Sequence, residues 1–190
     1  MFDGKFMSSY KIITFDCYGT LIDWERGMQD ALAGVIEKRG LAVSAEEVHR
    51  RYARLEPSIQ DGSDLKYREV MRIGVKEAFQ EFGISVTTEQ AGVFGDTLAS
   101  WPKFSDTTEV LTELKAQGYK LVILSNTDED FIRESLNVIN VEFDAIITAE
   151  RVGSYKPARG HWDFMLEKMS VPKEKVLHVA QSYYHDVVPA

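Results

Sequence analysis

Four short segments carry residues that could act on a substrate together. The first is Lys11-Ile12-Ile13-Thr14-Phe15-Asp16, an apolar run closed by an acid, followed at once by the turn Cys17-Tyr18-Gly19-Thr20. A continuous β-branched run of this length reads as a buried parallel strand. An aspartate at its end, before a glycine-bearing turn with exposed N–H groups, faces a cleft and can serve as a covalent nucleophile. Alone, that aspartate reads equally well as a turn residue. The other three segments tip the balance. Leu121-Val122-Ile123-Leu124-Ser125-Asn126 sets a hydroxyl and an amide at a second strand end. Gly153-Ser154-Tyr155-Lys156-Pro157 supplies a lysine at a proline turn, and His178-Val179-Ala180-Gln181-Ser182-Tyr183-Tyr184-His185-Asp186 supplies a second acid.

These residues need a scaffold that brings strand ends together. Apolar runs at 120–125, 145–148 and 176–180 join the first as strands, with helical stretches over 106–117 and about 161–169 between them. Gly118 is placed to end the first of those helices. Strands alternating with helices imply an α/β fold, a right-handed, doubly wound parallel sheet whose ligands bind at the carboxyl ends of the strands. Between Trp24 and Ser100 the strand-like runs stop and helical periodicity takes over: Met28, Leu32, Val35 and Ile36, then Val48, Tyr52 and Leu55, then Val70, Ile73, Val75, Phe79 and Phe82. Gly40 and Gly83 punctuate these helices, and Thr87 or Thr88 can cap the last. A helical block after the first strand reads as a lid over the sheet's carboxyl edge. The expected division is a core of residues 8–23 and 101–190 and a helical cap of residues 24–100.

Composition narrows the partners. The chain has 190 residues, 44% hydrophobic, with formal net charge −8, which disfavours nucleic acid and anionic membrane surfaces but allows a locally positive site for a small anionic substrate. The single cysteine, Cys17, excludes an internal disulfide and suits a reducing compartment. The start, MFDGKFMSSYK, has no apolar leader core, and no run approaches the ~20 apolar residues of a membrane span. A cytoplasmic location is expected.

Nucleophile, hydroxyl, lysine and acid, in that order on successive strand ends, resemble the four motifs of the haloacid dehalogenase superfamily over nearly the whole chain. Its phosphatases place a second aspartate two positions after the nucleophile as general acid and base; here that position is Tyr18. The stretch Phe15-Asp16-Cys17-Tyr18-Gly19-Thr20-Leu21-Ile22-Asp23 instead resembles the type II, L-2-haloacid dehalogenase branch, as do Ser125-Asn126 and Tyr155-Lys156-Pro157. That resemblance implies a Rossmann-like core with an inserted helical cap and metal-free hydrolysis of a small 2-substituted carboxylic acid. It assigns Asp16 as nucleophile, Lys156 as its cationic partner and Asp186 as the group that positions or activates water. It has Ser125 and the backbone after Asp16, at Cys17 and Tyr18, grip the substrate carboxylate. Asn126 faces the leaving group, and Thr20 bonds Asp16. Trp24, Trp101 and Trp162 read first as core or cap-hinge anchors, with Trp162 also a candidate to line the pocket. No cofactor is implied, except Mg²⁺ held by Asp16, Asp186 and the Tyr18 carbonyl if the chain is a phosphatase. Relatives also commonly dimerise through the cap.

Several positions depart from the branch. The family's halide-receiving arginine has no counterpart in Leu41-Ala42-Val43-Ser44-Ala45, leaving Arg39, Arg50 and Arg54 as candidates. The tyrosine six residues after the lysine is Trp162, and Gln181-Ser182-Tyr183 replaces Ser-Ser-Asn. The pattern Ala-Gln-Ser-Tyr-Tyr-His-Asp is closer to a sister branch that opens the ring of azetidine-2-carboxylate, which makes a ring nitrogen an alternative leaving group. A non-catalytic relative is the third reading. Relatives extend beyond the fourth motif by at least one more strand and helix, so part of the core is expected to be missing from residues 101–190. The plainer expectations are Cys17 as a small buried hydrophobe, His49 and His161 at the surface, His178 in no metal site, and Tyr183 and Tyr184 as packing and hydrogen-bonding residues. Asp23 is expected to cap a helix, and the charged residues of the cap to form a solvated face.

Overall fold

The computed structural model describes residues 9–190. Residue 8, where the core was expected to begin, and most of the segment read for a leader lie outside the described residues. Four strands form one parallel sheet: β1 (Ile12–Phe15), β2 (Lys120–Ser125), β3 (Ala145–Thr148) and β4 (Val176–Val179), in the order β3-β2-β1-β4. Ile12 pairs with both Lys120 and Val176, and Phe15 with both Ile123 and Val179, so β1 is an interior strand whose end is level with that of β4, while β2 runs on to Ser125. The protein is therefore an α/β parallel-sheet protein with a helical insert, as its strand and helix pattern implies.

The strands alternate between two cores. Ile13, Phe15, Leu121 and Ile123 face one cluster, whereas Ile12, Val122 and Leu124 face the other. That is the period of two expected of a strand buried on both faces. The second cluster is covered by α9 (Gly160–Met169) through Trp162 and Met165. The first is shared with the insert, which contains α1 (Trp24–Arg39), α2 (Ala45–Gln60), α3 (Tyr67–Gln80), α4 (Thr88–Ala91) and α5 (Val93–Thr97). After β1 and the insert, the chain rejoins the sheet through α6 (Thr107–Ala116), and α7 (Glu129–Ile139) and α8 (Ala149–Val152) flank β3.

Local chemistry sets the helix ends. Asp23 accepts the Arg26 N–H at the start of α1, and Gly40 takes φ +61° after its last turn. Ser44 and Glu47 form a reciprocal capping box on α2, and Thr87 and Gln90 form one on α4. The apolar stripe of α3 buries Val70, Val75 and Phe79 completely; full burial of such side chains contributes about 1.5–3 kcal/mol each. Among the described residues, no helix is long and apolar enough to cross a membrane.

Candidate active site

Asp16 follows the last residue of β1, and its N–H donates to the Val179 carbonyl (3.1 Å), which ties it to the end of β4 as well. The turn after it is closed internally. The N–H groups of Thr20, Leu21 and Ile22 all donate to the Cys17 carbonyl, and that of Gly19 to Ile22. Gly19 takes φ +93°, and a side chain there would meet the Trp24 indole at 2.9 Å, so only glycine fits. The amides of Gly19, Thr20, Leu21 and Ile22 are thus committed to the turn, and of the two expected to grip a substrate, that of Cys17 bonds the Asp16 carboxyl. Thr20 Oγ1 donates to Asp16 Oδ2 at 3.4 Å and accepts the Gln181 N–H at 3.1 Å.

Lys156 is the hub. Its ammonium donates to Asp16 Oδ1 (2.8 Å), Asp186 Oδ1 (2.6 Å) and the Leu124 carbonyl (2.9 Å), which uses all three N–H donors in a site 2% exposed. Burial alone would favour the neutral amine, but the two carboxylates outweigh it and raise the lysine above its ordinary range. Burial pushes the Asp16 carboxyl up, opposed by Lys156 and reinforced by Asp186. Burial also acts to raise Asp186. There the hydrogen bond from His178 Nε2 (2.9 Å) and the charge of Lys156 prevail, holding it below the usual carboxylate range. His178 Nδ1 is 2.8 Å from Thr14 Oγ1, so the ring spans from β1 to Asp186.

At the end of β2, Ser125 Oγ is buried and has no hydrogen-bond partner among the described residues. A buried hydroxyl left unpaired is costly, which marks a position that a bound molecule can satisfy. The ring of His161 lies behind it, with Nε2 3.1 Å from the Ser125 carbonyl. Since a carbonyl only accepts, Nε2 carries the proton, and burial with the nearby Lys156 charge lowers this histidine to about 4. Asn126 lines the cavity, but its amide is occupied. Its Oδ1 accepts the Lys156 N–H (2.6 Å), and its Nδ2 donates to the Lys156 carbonyl (3.0 Å) and to Gln60 Oε1 (3.2 Å). It clamps the lysine backbone and leaves no amide donor for a leaving group.

The cavity in front of Asp16 has a volume of about 210 Å³, below the ~300–1,000 Å³ of pockets for drug-sized ligands, and so suits a small molecule. Its roof comes from α2 and the start of α3. Glu56, buried there, accepts from Tyr52 (3.1 Å) and Tyr67 (2.6 Å), both on Oε1. Burial raises its carboxyl, and the charge of Asp16 adds to the effect. Asp128 anchors this roof to the core by accepting the N–H groups of Tyr67 (2.8 Å) and Arg68 (3.0 Å) at the start of α3.

Asp16, Tyr18, Ser125, Asn126, Lys156 and Asp186 thus line one cavity, with Thr20 hydrogen-bonded to Asp16. Other expected positions differ. Trp162 does not line the cavity; it takes the core role, packed in the second cluster on α9 and edge-on against His178. Cys17 is wholly buried, as expected of a small hydrophobe, and burial raises its thiol far above the ordinary range. The Tyr18 hydroxyl is 2.9 Å from Ser135 Oγ on α7, and burial also raises it. None of Arg39, Arg50 and Arg54 reaches the cavity. Arg39 bonds the Ser85 carbonyl, and Arg50 and Arg54 pair with Glu46 and Glu81.

His49 and His161, expected at the surface, are buried; His49 packs edge-on against Trp24. Tyr183 and Tyr184, expected to pack, are exposed. Glu56 departs from the solvated face expected of charged insert residues. Its sequence signal was its position four residues after Tyr52 and eight after Val48, which places an acid in an apolar helical stripe.

A parallel α/β sheet that sets an acid, a lysine and a second acid at adjoining strand ends beneath a helical roof defines a hydrolase-like class of site. The family model for haloacid dehalogenase-like hydrolases matches residues 10–187, and the chain belongs to that family. It is 26% identical over 180 residues to an (S)-2-haloacid dehalogenase of Pseudomonas putida, covering 93% of this chain and 78% of that protein. It is 27% identical over 174 residues to a phosphoglycolate phosphatase of Aquifex aeolicus, covering 90% and 76%. The fold matches the L-2-haloacid dehalogenase of Xanthobacter autotrophicus with a TM-score of 0.80 at 20% identity, covering 93% of this chain and 71% of the other.

Proposed function

We propose that this hydrolase acts on a small 2-substituted carboxylic acid through an ester at Asp16. The observation that carries the reading is Lys156, which bridges Asp16 and Asp186 at the floor of the cavity. The ammonium keeps Asp16 available as the carboxylate despite its burial, and a carboxylate is the form that attacks. An Asp16 oxygen displaces the leaving group at C2 with inversion, and the leaving group departs with the bonding electrons. Ser125 Oγ and the backbone at Tyr18 hold the substrate carboxylate. Water then attacks the Asp16 carbonyl carbon and loses its proton toward Asp186, which His178 orients. The products are a 2-hydroxy acid and a regenerated Asp16 that retains one solvent oxygen.

A single turnover in ¹⁸O-water tests this directly. The expected result is label on the Asp16 peptide with L-2-chloropropionate or L-azetidine-2-carboxylate, and no turnover by Asp16→Asn. Turnover retained in that variant overturns the reading.

The phosphatase relative raises a second reading, with Mg²⁺ held by Asp16, Asp186 and the Tyr18 carbonyl. The residues at hand fit it poorly. A phosphatase needs an acid–base group two positions after the nucleophile, and Tyr18 offers only a phenol engaged with Ser135 and raised by burial. Phosphate release on adding magnesium is therefore not expected across a phosphate-ester panel.

A further inference from the structure

The cavity carries more acid than its proposed chemistry uses. Asp16, Glu56 and Asp186 line it, and against them stands one fixed cation, Lys156, already bonded to two of the three. Among the described residues Glu56 forms no ion pair, although burying a carboxylate without one is costly. It is nonetheless held in place, with the Tyr52 and Tyr67 hydroxyls both directed at Oε1. Asp128 fixes the backbone of Tyr67 from the core side. A carboxylate positioned this carefully, opposite the nucleophile and without a cation, is built to meet a positive group that arrives with a ligand. A halide displaced from C2 would instead depart as an anion into a cavity of excess negative charge, with none of Arg39, Arg50 and Arg54 there to receive it.

We propose that Glu56 is the specificity-determining residue of this site and pairs with a cationic nitrogen on the substrate. The cavity then takes a small zwitterionic 2-amino acid whose nitrogen is the leaving group, in preference to a 2-halo acid. This deepens the reading of Asp16 as nucleophile and rests on it. A strained ring makes the nitrogen displaceable. Asp16 forms the C2–O bond as the C2–N bond breaks, and the bonding pair stays on nitrogen. The ring ammonium thereby becomes a neutral primary amine tethered to the product, which takes a proton from solvent. Water hydrolyses the ester as before, so the sum is substrate plus water giving an amino-2-hydroxy acid. Glu56 holds the nitrogen through the change of charge.

The test compares the intact protein with Glu56→Gln, a near-isosteric change that can still accept from both tyrosines. It uses L-azetidine-2-carboxylate and L-2-chloropropionate as probes, followed by kcat/KM and by calorimetric binding. The expected result is at least a ~10-fold loss for the ring amino acid in the variant, mainly in KM and Kd, as suits loss of a charged hydrogen bond. The chloro acid should be unaffected or improved. Tyr67→Phe should shift the same preference less strongly, and it serves as the second variant if Glu56→Gln does not fold. Equal losses for both probes, or none, overturn the assignment of Glu56. Asp16 labelling by the chloro acid alone, unchanged in Glu56→Gln, overturns it while leaving the Asp16 reading intact. Binding of the ring amino acid that depends on Glu56, with no label on Asp16, supports the assignment and overturns the nucleophile instead.

Discussion

A lysine buried between two carboxylates exchanges hydration for three directed acceptors, and Lys156 has all three. Removing one member of such a pair leaves uncompensated buried charge and costs about 3–5 kcal/mol. Lys156→Met is therefore expected to lower the melting temperature sharply. Its effect on catalysis has a definite sign. Burial already raises Asp16, and Lys156 opposes that rise, so the variant should move the acid limb of kcat/KM to higher pH, along with lowering kcat. An unmoved acid limb would detach Lys156 from the ionisation of Asp16. The neighbouring acids pull stability in opposite directions with pH. Asp186, held low, contributes stability above the ordinary carboxylate range that is lost as pH falls through its own value. Asp16, held high, contributes stability in acid that is lost as pH rises through its raised value.

Between elements, the decisive joint lies where α3 begins. No side chain of the insert caps this helix. Asp128, just before α7 in the core, accepts its first two N–H groups instead. The same bonds place Tyr67, whose hydroxyl holds Glu56 in the cavity roof. Asp128→Ala removes a cap worth about 0.5–2 kcal/mol, and it should also raise KM, because the roof loses its register with the core. Thermal melting and steady-state kinetics on the same preparation would separate the two effects. A stability loss with unchanged KM would make Asp128 structural only. Lys66 and Glu150 (2.7 Å) and the pair Arg68 and Asp130 add exposed contacts across the same joint, and isolated surface pairs of that kind contribute little.

Across the molecule, β1 and β2 are the interior strands of the sheet, and both of their faces are buried. Amides of Ile13 and Leu121 are expected to be among the slowest to exchange with deuterium, and those around β4, partly exposed at the sheet edge, to exchange faster. The reverse order would contradict the sheet order. This arrangement also builds the site from residues far apart in sequence. Asp16 and Lys156 are 140 positions apart, and Asn126 and Gln60 are 66 apart.

Much of that architecture was legible in the residues themselves. Strands with continuous apolar runs, the helical periodicity of 24–100, and the turn after Asp16 are local patterns, and backbone sterics and burial make them local in cause. So were the identities at the strand ends: in a parallel sheet the strand termini share one edge, and the order Asp16, Ser125, Lys156, Asp186 already describes a site. What tertiary structure alone decided was orientation and commitment. Whether Asn126 faces a ligand or clamps Lys156, whether Trp162 points at the cavity or the far core, and whether His161 is surface or buried each depends on how elements pack. The position of Glu56 is the sharpest case. Its helix and face follow from spacing, but its role depends on α2 lying across the carboxyl edge of the sheet. Charge and desolvation act through space, whereas a sequence records only separation along the chain.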